Sequence, residues 1–220
     1  KAKDVGKIDL LIGGSPCQGF SFAGKQLNFD DPRSKLFFEF VRLKDEINPR
    51  FFILENVRMK QESQDIISKY LGVEPVRFNS ALVSAQNRQR LFWTNIDFDL
   101  PDDKGIILAD ILEDGITDRA KSHCLDANYF KGGNLKSYFE KHRRQLVFKE
   151  FLKDDWPLLD HAKSKYLSHL SFRKLTPLEC ERLQTVPDNY TNHVSNTQRY
   201  KMLGNGFTVD VVAHILKGLH

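Results

Sequence analysis

The sequence has few cysteines, and their spacing does not suit a disulfide framework or a zinc site. Cys17, Cys124 and Cys180 are odd in number, far apart and form no C-x-x-C pair. Disulfide scaffolds and zinc domains depend on paired, closely spaced thiols. An internal repeat, a low-complexity tract and a G-x-G-x-x-G motif are also missing from the sequence. We therefore set aside a disulfide scaffold and expect no metal site.

Long apolar runs are missing as well. No stretch is long enough to cross a bilayer, and the opening residues lead into a strand without the apolar core of a signal peptide. We therefore expect a cytoplasmic protein with no membrane partner. At 220 residues, 40% of them hydrophobic, the chain can bury a sizeable core. Its net charge of +4 permits a nucleic-acid partner without demonstrating one.

The first part of the chain has the pattern of a βαβ unit. A short apolar strand is predicted to end at Gly13-Gly14, a helix capped by Ser34 to run to about Ile47, and a second apolar strand, residues 51–54, to end at Glu55-Asn56. A strand, helix and strand of this length form a parallel, right-handed unit. Because ligands bind beyond the carboxyl ends of such strands, Cys17 and Glu55 are expected to face one crevice.

Local signals predict several later elements. A helix is predicted over residues 61–71 with Gly72 as its C-cap, and a strand over residues 91–96. Thr176-Pro-Leu-Glu179 predicts a helix start with a capping box. A last helix is predicted from about Thr208. Regular signals weaken in between, which indicates a second small domain or a large insertion.

The segment "GGSPCQGFS" raises the question of what Cys17 does. Most free cysteines are small buried hydrophobes, and this reading suits Cys124 and Cys180 better than a chemical one. Cys17 instead lies between Pro and Gln in a loop of small residues. Backbone N–H groups in such a loop lower a thiol pKa and favour the nucleophilic thiolate. A functional role for Cys17 is thus favoured over a structural one.

Three other motifs each allow a structural and a chemical interpretation. Glu55 is either a capping or ion-paired carboxylate, or a partly buried general acid with a raised pKa that Asn56 orients. Arg88 and Arg90, two residues apart before a strand, face the same way and either form a solvated surface or hold an anion or the carbonyl edge of a base. The glycines of "GNGF", residues 204–207, either make a turn or bind a cofactor.

Taken in order, these segments resemble the motifs of the C5-cytosine DNA methyltransferase family. "GGSPCQGFS" is similar to its Pro-Cys motif, "SKLFFEF" to the helix that follows, "ENV" to its Glu-Asn-Val motif and "QNRQRLFWTNI" to its Gln-x-Arg-x-Arg motif. "RKLTPLECERLQTVPDNYT" and "KMLGNGFTVDVVAHIL" continue the series. Each motif alone is weak, but together in this order they are highly specific. The resemblance implies an α/β fold, namely a partial Rossmann-like S-adenosylmethionine-dependent methyltransferase sheet with a small irregular target-recognition domain.

The resemblance also implies roles for individual residues. Cys17 would be the nucleophile that adds to C6 of a cytosine flipped out of the duplex. Glu55 would hold and protonate the N3 edge, Arg88 would fix the base carbonyl and steady the cysteine loop, and Arg90 would support it. The implied substrate-binding residues are Gln18, Ser21 and Asn56, and the implied contacts to S-adenosylmethionine are Pro16, Leu36 and Asn205.

The same resemblance divides the chain into a catalytic portion (residues 1–96), a target-recognition domain (97–200) and a C-terminal helix that returns to the catalytic domain (201–220). Gly132-Gly133 would allow close approach to a groove of double-stranded DNA, and nearby basic residues would meet phosphates. These basic residues are Lys131, Lys136, Lys141, Arg143, Arg144 and Lys149.

The sequence departs from the family pattern at its N-terminal side. The family begins with a strand and a Phe-x-Gly-x-Gly loop of the cofactor site, which the chain lacks. A second subunit or an N-terminal segment is therefore expected to complete the site. The chain is then a subunit of a split enzyme, a truncated domain or a fragment. Gly206 also replaces a common Ser, and Asp126 replaces a common Thr.

Three functions follow from these observations. The leading prediction is a DNA cytosine-5 methyltransferase, or the catalytic-loop and recognition part of one, bacterial or phage-encoded and of the type found with restriction enzymes. An inert DNA-binding or accessory module of the same fold is the second. It has no need for Cys17, Glu55 and Arg88 together. A tRNA cytosine-5 methyltransferase is the third.

Overall fold

The structure, a computed structural model, describes residues 6–14, 35–149 and 171–219. The predicted site residues Pro16, Cys17, Gln18 and Ser21 lie outside these ranges. The chain divides into two compact units. The first comprises residues 1–79, 89–100 and 215–220, and the second comprises residues 80–88 and 101–214. The described part contains no helix that is both long and apolar enough to cross a membrane.

The first unit is built on a four-stranded sheet in the order β1-β2-β4-β3. The strands are β1 (Leu10–Gly14), β2 (Phe51–Val57), β3 (Val76–Asn79) and β4 (Gln89–Thr94). β1 and β2 are parallel, as the βαβ pattern predicts, whereas β4 is antiparallel to both β2 and β3. The sheet is therefore mixed.

Two helices complete the first unit, α1 (Lys35–Ile47) and α2 (Gln61–Leu71). Apolar residues at helical spacing place Phe37, Phe40 and Ile67 in one core with the fully buried Trp93 of β4. α2 ends where predicted, because Gly72 adopts the left-handed conformation (φ 74°) and its N–H donates to the carbonyl of Ser68.

The second unit has shorter elements around its own core. They are α3 (Leu135–Lys141), β5 (Leu146–Phe148), β6 (Phe172–Lys174), α4 (Pro177–Leu183), α5 (Asn196–Asn205) and α6 (Val209–Leu216), which reaches into residues of the first unit. Short 3-10 turns lie at Leu108–Ile111 and Tyr129–Lys131. The predicted capping box is present: Thr176 accepts from the Glu179 N–H and the Glu179 carboxylate accepts from the Thr176 N–H.

The compact units follow different boundaries from those expected at residues 97 and 200. The second unit includes residues 80–88, which lie between β3 and β4 in the chain, and it continues through α5 to residue 214. Sequence patterns reveal where regular structure weakens, but they do not reveal which unit a short connecting segment packs into. The assignment of residues 97–200 to DNA recognition remains a prediction.

Candidate active site

Strand register places Glu55 beside Gly14, which precedes Cys17 by three residues in the sequence. Gly14, the last residue of β1, is the ladder partner of Glu55 in β2. Glu55 lies inside β2, which continues to Val57, and not beyond the strand end as expected. The strand is longer than predicted because β4 supplies antiparallel partners for Glu55, Asn56 and Val57.

The carboxylate of Glu55 forms an ion pair with Arg90. Arg90 Nε lies 2.7 Å from Glu55 Oε1, and each side chain is 15% exposed. Arg90 is the ladder partner of Val57, two residues from Glu55, and a long side chain reaches such a diagonal neighbour on the same face. The pair therefore combines a carboxylate and a planar guanidinium that remain partly accessible.

Asn56 occupies a different environment from Glu55. Successive strand residues face opposite sides of a sheet, and Asn56 is buried with 1% exposure. Its amide oxygen accepts a hydrogen bond from the N–H of Val57 at 2.9 Å. Its predicted contact with substrate is thus not supported by exposure, and its role stays a prediction.

Arg88 and Arg90 belong to different compact units, whereas the sequence predicts that they face the same way. That expectation assumed that both lie in a strand, but β4 begins at Gln89 and Arg88 precedes it. Arg88 is buried in the second unit, and its guanidinium donates to the carbonyls of Leu125 (2.9 Å), Gly204 (3.3 Å) and Gly206 (2.9 Å). It therefore ties two distant chain segments to one side chain.

A network of buried glutamines, which sequence reasoning missed, extends this arrangement. The Gln86 amide donates to Gln184 Oε1 (3.1 Å), and Gln86 Oε1 accepts from the N–H of Leu125 (2.9 Å). The Gln184 amide donates to the Leu203 carbonyl, and Thr208 donates to Gln184 Oε1. Both glutamines are at most 1% exposed. Polar residues in otherwise apolar or turn segments are the only sequence signal for such a network.

The network holds the Gly-Asn-Gly segment against the chain near Asp126. A Cβ atom added to Gly204 would lie 2.4 Å from the Asp126 carbonyl oxygen and 2.5 Å from the Ala127 nitrogen. Glycine is needed here for close backbone approach. The next residue, Asn205, ends α5 with an exposed side chain.

Two of the predicted cofactor contacts are described, and both are accessible. Leu36, near the start of α1, is 51% exposed, and Asn205 is exposed. Their contact with the cofactor stays a prediction. No group of three or more metal-ligating side chains lies together in the described ranges.

The two described cysteines have structural surroundings. Cys180 lies within α4 and is fully buried, and burial raises the pKa of its thiol. Cys124 is partly buried, and its sulfur accepts from Arg88 Nη1 at 3.4 Å. Cys180 therefore lacks the accessibility that a nucleophile requires.

The sequence matches a known family over its full length. The profile of the C-5 cytosine-specific DNA methylases matches residues 1–145 and 100–220. The chain therefore belongs to this family, and the resemblance drawn from the motifs is confirmed.

Individual relatives agree with this assignment. The chain is 33% identical over 247 aligned residues to the type II methyltransferase M1.ScrFI of Lactococcus lactis subsp. cremoris, which covers 96% of this chain and 61% of that protein. It is 27% identical to the type II methyltransferase M.HpaII of Haemophilus parainfluenzae, over 94% of this chain and 70% of that protein. The chain thus spans only 61% of the first of these relatives.

Solved structures share the fold. The methyltransferase EhMeth of Entamoeba histolytica superposes with a TM-score of 0.66 at 17% identity, over 96% of this chain and 76% of that chain. The Dnmt2 methyltransferase of S. pombe superposes with a TM-score of 0.66 at 18% identity, over 100% of this chain and 80% of that chain. The predicted fold class, an α/β protein with a partial Rossmann-like methyltransferase sheet, is confirmed.

Proposed function

We propose that the protein is a DNA cytosine-5 methyltransferase, or the catalytic-loop and recognition part of one. The observation that carries the proposal is the Glu55–Arg90 pair at 2.7 Å, beside the strand position from which the Pro-Cys loop departs. Cys17 follows Gly14 by three residues, so chain connectivity keeps the two Cα atoms within about 11 Å of each other. We propose that the Cys17 thiol joins this acid and this guanidinium at one base.

The proposed chemistry follows from these groups. Cytosine C5 is a weak nucleophile, so the Cys17 thiolate adds to C6 while Glu55 gives a proton to N3, which makes C5 enamine-like. The guanidinium of Arg90, paired with Glu55, is placed to donate to the base carbonyl. We assign this role to Arg90 rather than Arg88, because three backbone carbonyls already surround Arg88. Once C5 carries the methyl group, it loses its proton, the Cys17 thiolate leaves C6 and N3 returns its proton to Glu55, which restores the aromatic ring.

S-adenosylmethionine supplies the electrophilic methyl group when it is bound. Pro16, Leu36 and Asn205 are the residues of this chain proposed to hold it, and exposure of Leu36 and Asn205 supports the assignment. We propose that protein beyond these residues, as another segment or a second subunit, completes the cofactor site. Within the described residues β1 pairs with β2 alone, and we propose that a further strand pairs along its other edge.

The proposed substrate is double-stranded DNA with the target cytosine flipped out of the helix. Flipping is required because C5 and C6 are inaccessible inside a stacked duplex. Residues 97–200 are proposed to read the DNA, with Gln18 and Ser21 near its backbone and Asn56 in a supporting position. We propose that the protein is a cytoplasmic restriction-modification enzyme of bacterial or phage origin, and the type II methyltransferases among its bacterial relatives support the restriction-modification role.

A trapping assay tests this function. The chain is incubated, with and without the protein that completes its cofactor site, with S-adenosylmethionine and duplex DNA that contains 5-fluorocytosine. Fluorine at C5 blocks the final elimination, so an active enzyme remains covalently bound to the DNA. We expect an adduct that Cys17→Ser abolishes.

Each other result of this assay has a defined meaning. No adduct from the completed protein, with DNA binding intact, would replace the enzyme by an inert DNA-binding module. Transfer of labelled methyl groups to tRNA but not to duplex DNA would identify the protein as a tRNA cytosine-5 methyltransferase. In either case the proposed DNA methyltransferase activity would be wrong.

A further inference from the structure

Three lysines from distant parts of the second unit converge on two aromatic rings. The ammonium groups of Lys131 and Lys201 lie 5.8 and 5.5 Å from the centroid of the Phe130 ring. The ammonium group of Lys174 lies 4.5 Å from the centroid of the Tyr200 ring. The lysines come from a 3-10 turn, from α5 and from β6. We call these three residues the lysine cluster.

The aromatic platform under the cluster is fixed by buried contacts. The Tyr200 ring is 4% exposed, and its hydroxyl donates to the Leu175 carbonyl at 2.8 Å. It meets the Tyr129 ring edge-on, with centroids 5.7 Å apart. Lys174 also donates to the Phe130 carbonyl at 3.1 Å. The positions from which the lysines extend are therefore set before any partner binds.

The charge of the cluster is not neutralised by the described part of the chain. No carboxylate there lies within ion-pair distance of Lys131, Lys174 or Lys201, although nearby Asp126 pairs with Arg143 at 3.7 Å. Like charges that share a surface repel each other, and the aromatic faces compensate only in part. Each ammonium also retains N–H donors for a further acceptor. The cluster is therefore complementary to a partner with closely spaced negative charges.

We propose that the lysine cluster contacts the phosphate backbone of duplex DNA. This inference rests on the proposed function, and it goes beyond the sequence prediction because Lys174 and Lys201 lie 43 and 70 positions after Lys131. Of the basic residues predicted to meet phosphates, Arg144 instead donates to the Gly132 carbonyl at 2.9 Å and Arg143 faces Asp126. Phosphate contacts position a protein on DNA without reading its sequence.

The salt dependence of DNA binding tests the proposal without knowledge of the recognition sequence. Binding of the chain to a fluorescein-labelled duplex of mixed sequence is measured by anisotropy between about 50 and 200 mM salt. The plot of log K against log salt has a negative slope, and each lost phosphate contact reduces the magnitude of that slope by roughly one. We expect the triple variant Lys131→Gln, Lys174→Gln, Lys201→Gln to lower this slope by roughly three, and replacement by Arg to restore it.

A matched control removes the same charge elsewhere. Lys60, Lys69 and Lys217 are exposed, and their triple replacement by Gln leaves the slope close to that of the unchanged chain if the cluster is the contact. Circular dichroism establishes that both variants are folded. Equal slopes for the two triple variants would overturn the proposal, as would absence of duplex binding by the unchanged chain.

The remaining outcomes separate this inference from the proposed function. A slope change with an RNA hairpin but not with duplex DNA would assign the cluster to RNA and overturn the proposal. If no adduct with Cys17 forms but the triple Lys→Gln substitution still lowers the salt dependence of DNA binding, the methyltransferase function is wrong and the DNA contact stands.

Discussion

Arg90 Nε lies 2.7 Å from Glu55 Oε1, and the two residues come from neighbouring antiparallel strands. The sheet ladder fixes their relative position, so the pair is a property of the fold and does not depend on a bound ligand. If Glu55 is the general acid that we propose, this placement reduces the reorganisation that the reaction requires.

Substitution of Glu55 or Arg90 is expected to lower the rate of methyl transfer more than the affinity for DNA. In the completed protein, Glu55→Gln removes the acid at constant size and is expected to lower single-turnover methyl transfer about 10²-fold or more. Arg90→Ala is expected to lower the same rate, with partial recovery in Arg90→Lys because a single ammonium replaces the planar fork. Rapid-quench measurement of labelled DNA checks both. An Arg90→Ala protein with an unchanged rate would contradict the role of Arg90.

Arg88 is expected to contribute mainly to the stability of the folded protein. Arg88→Met leaves the carbonyls of Leu125, Gly204 and Gly206 without their charged donor in a buried site. We expect the free energy of unfolding to fall by at least about 3 kcal/mol, measured by urea denaturation. Arg77→Met, at an exposed position of β3, is the control and is expected to change stability little. Equal stability of the two variants would show that the carbonyl contacts contribute little.

The Gly-Asn-Gly segment contains two glycines, Gly204 and Gly206, that pack against different neighbours. Gly204→Ala places a methyl group 2.3 Å from the Asp126 carbonyl carbon, so backbone must move, and we expect a loss of about 3 kcal/mol or more. A Cβ at Gly206 meets only the Met202 carbonyl oxygen, at 3.1 Å. Gly206→Ser, the residue common in the family, is therefore expected to be tolerated. Thermal unfolding of the two variants tests this difference, and a similar melting temperature for both would refute it.

Helix capping offers a second matched comparison. Thr176 caps α4 through its side chain, whereas Ser195 precedes α5 without a side-chain cap hydrogen bond. Thr176→Ala is expected to reduce the free energy of unfolding by about 1 kcal/mol, and Ser195→Ala by much less. Denaturant titration of both variants measures the difference. A larger loss for Ser195→Ala would be inconsistent with the described caps.

His123 is expected to make stability depend on pH. Burial first, and then the guanidinium of Arg119, lower the pKa of His123 from 6.5 to about 4; His142 acts in the same direction and Asp118 opposes it. Between these two values the unfolded chain binds a proton that the folded chain does not. The contribution of neutral His123 to stability is therefore present above pH 6.5 and is lost as the pH falls towards 4.

The variant His123→Gln isolates this effect. Melting temperatures are measured across the same pH range for both proteins, and the variant is expected to show a flatter dependence because it cannot take up the proton. An identical dependence in the two proteins would assign the acid sensitivity to other groups.

Elements that depend on neighbouring residues could be predicted from the sequence. α2 with its Gly72 cap and the Thr176–Glu179 capping box appear where their local patterns indicate. The parallel pairing of β1 and β2 also follows from the helix between them. In each case the deciding interactions lie within a few residues or within one βαβ unit.

Features that depend on distant partners could not be predicted in this way. β2 extends through Glu55 because β4 pairs with it, and the carbonyl partners of Arg88 lie 37 to 118 positions further along the chain. Spacing within "QNRQR" does not reveal that Arg88 precedes β4 while Arg90 lies within it. The family resemblance names Glu55, Arg88 and Arg90 as candidates, whereas the register of β2 against β4 determines that Arg90 contacts Glu55.

The membership of residues 80–88 in the second unit has a consequence for protein engineering. Gln86 and Arg88 find their buried partners among residues 124–206. Residues 101–214 therefore cannot satisfy all of their own buried hydrogen-bonding groups without residues 80–88. If that stretch were transplanted into a relative, its buried polar groups would have to be satisfied by the host's own version of residues 80–88. An intact transplant of the second unit therefore requires both segments.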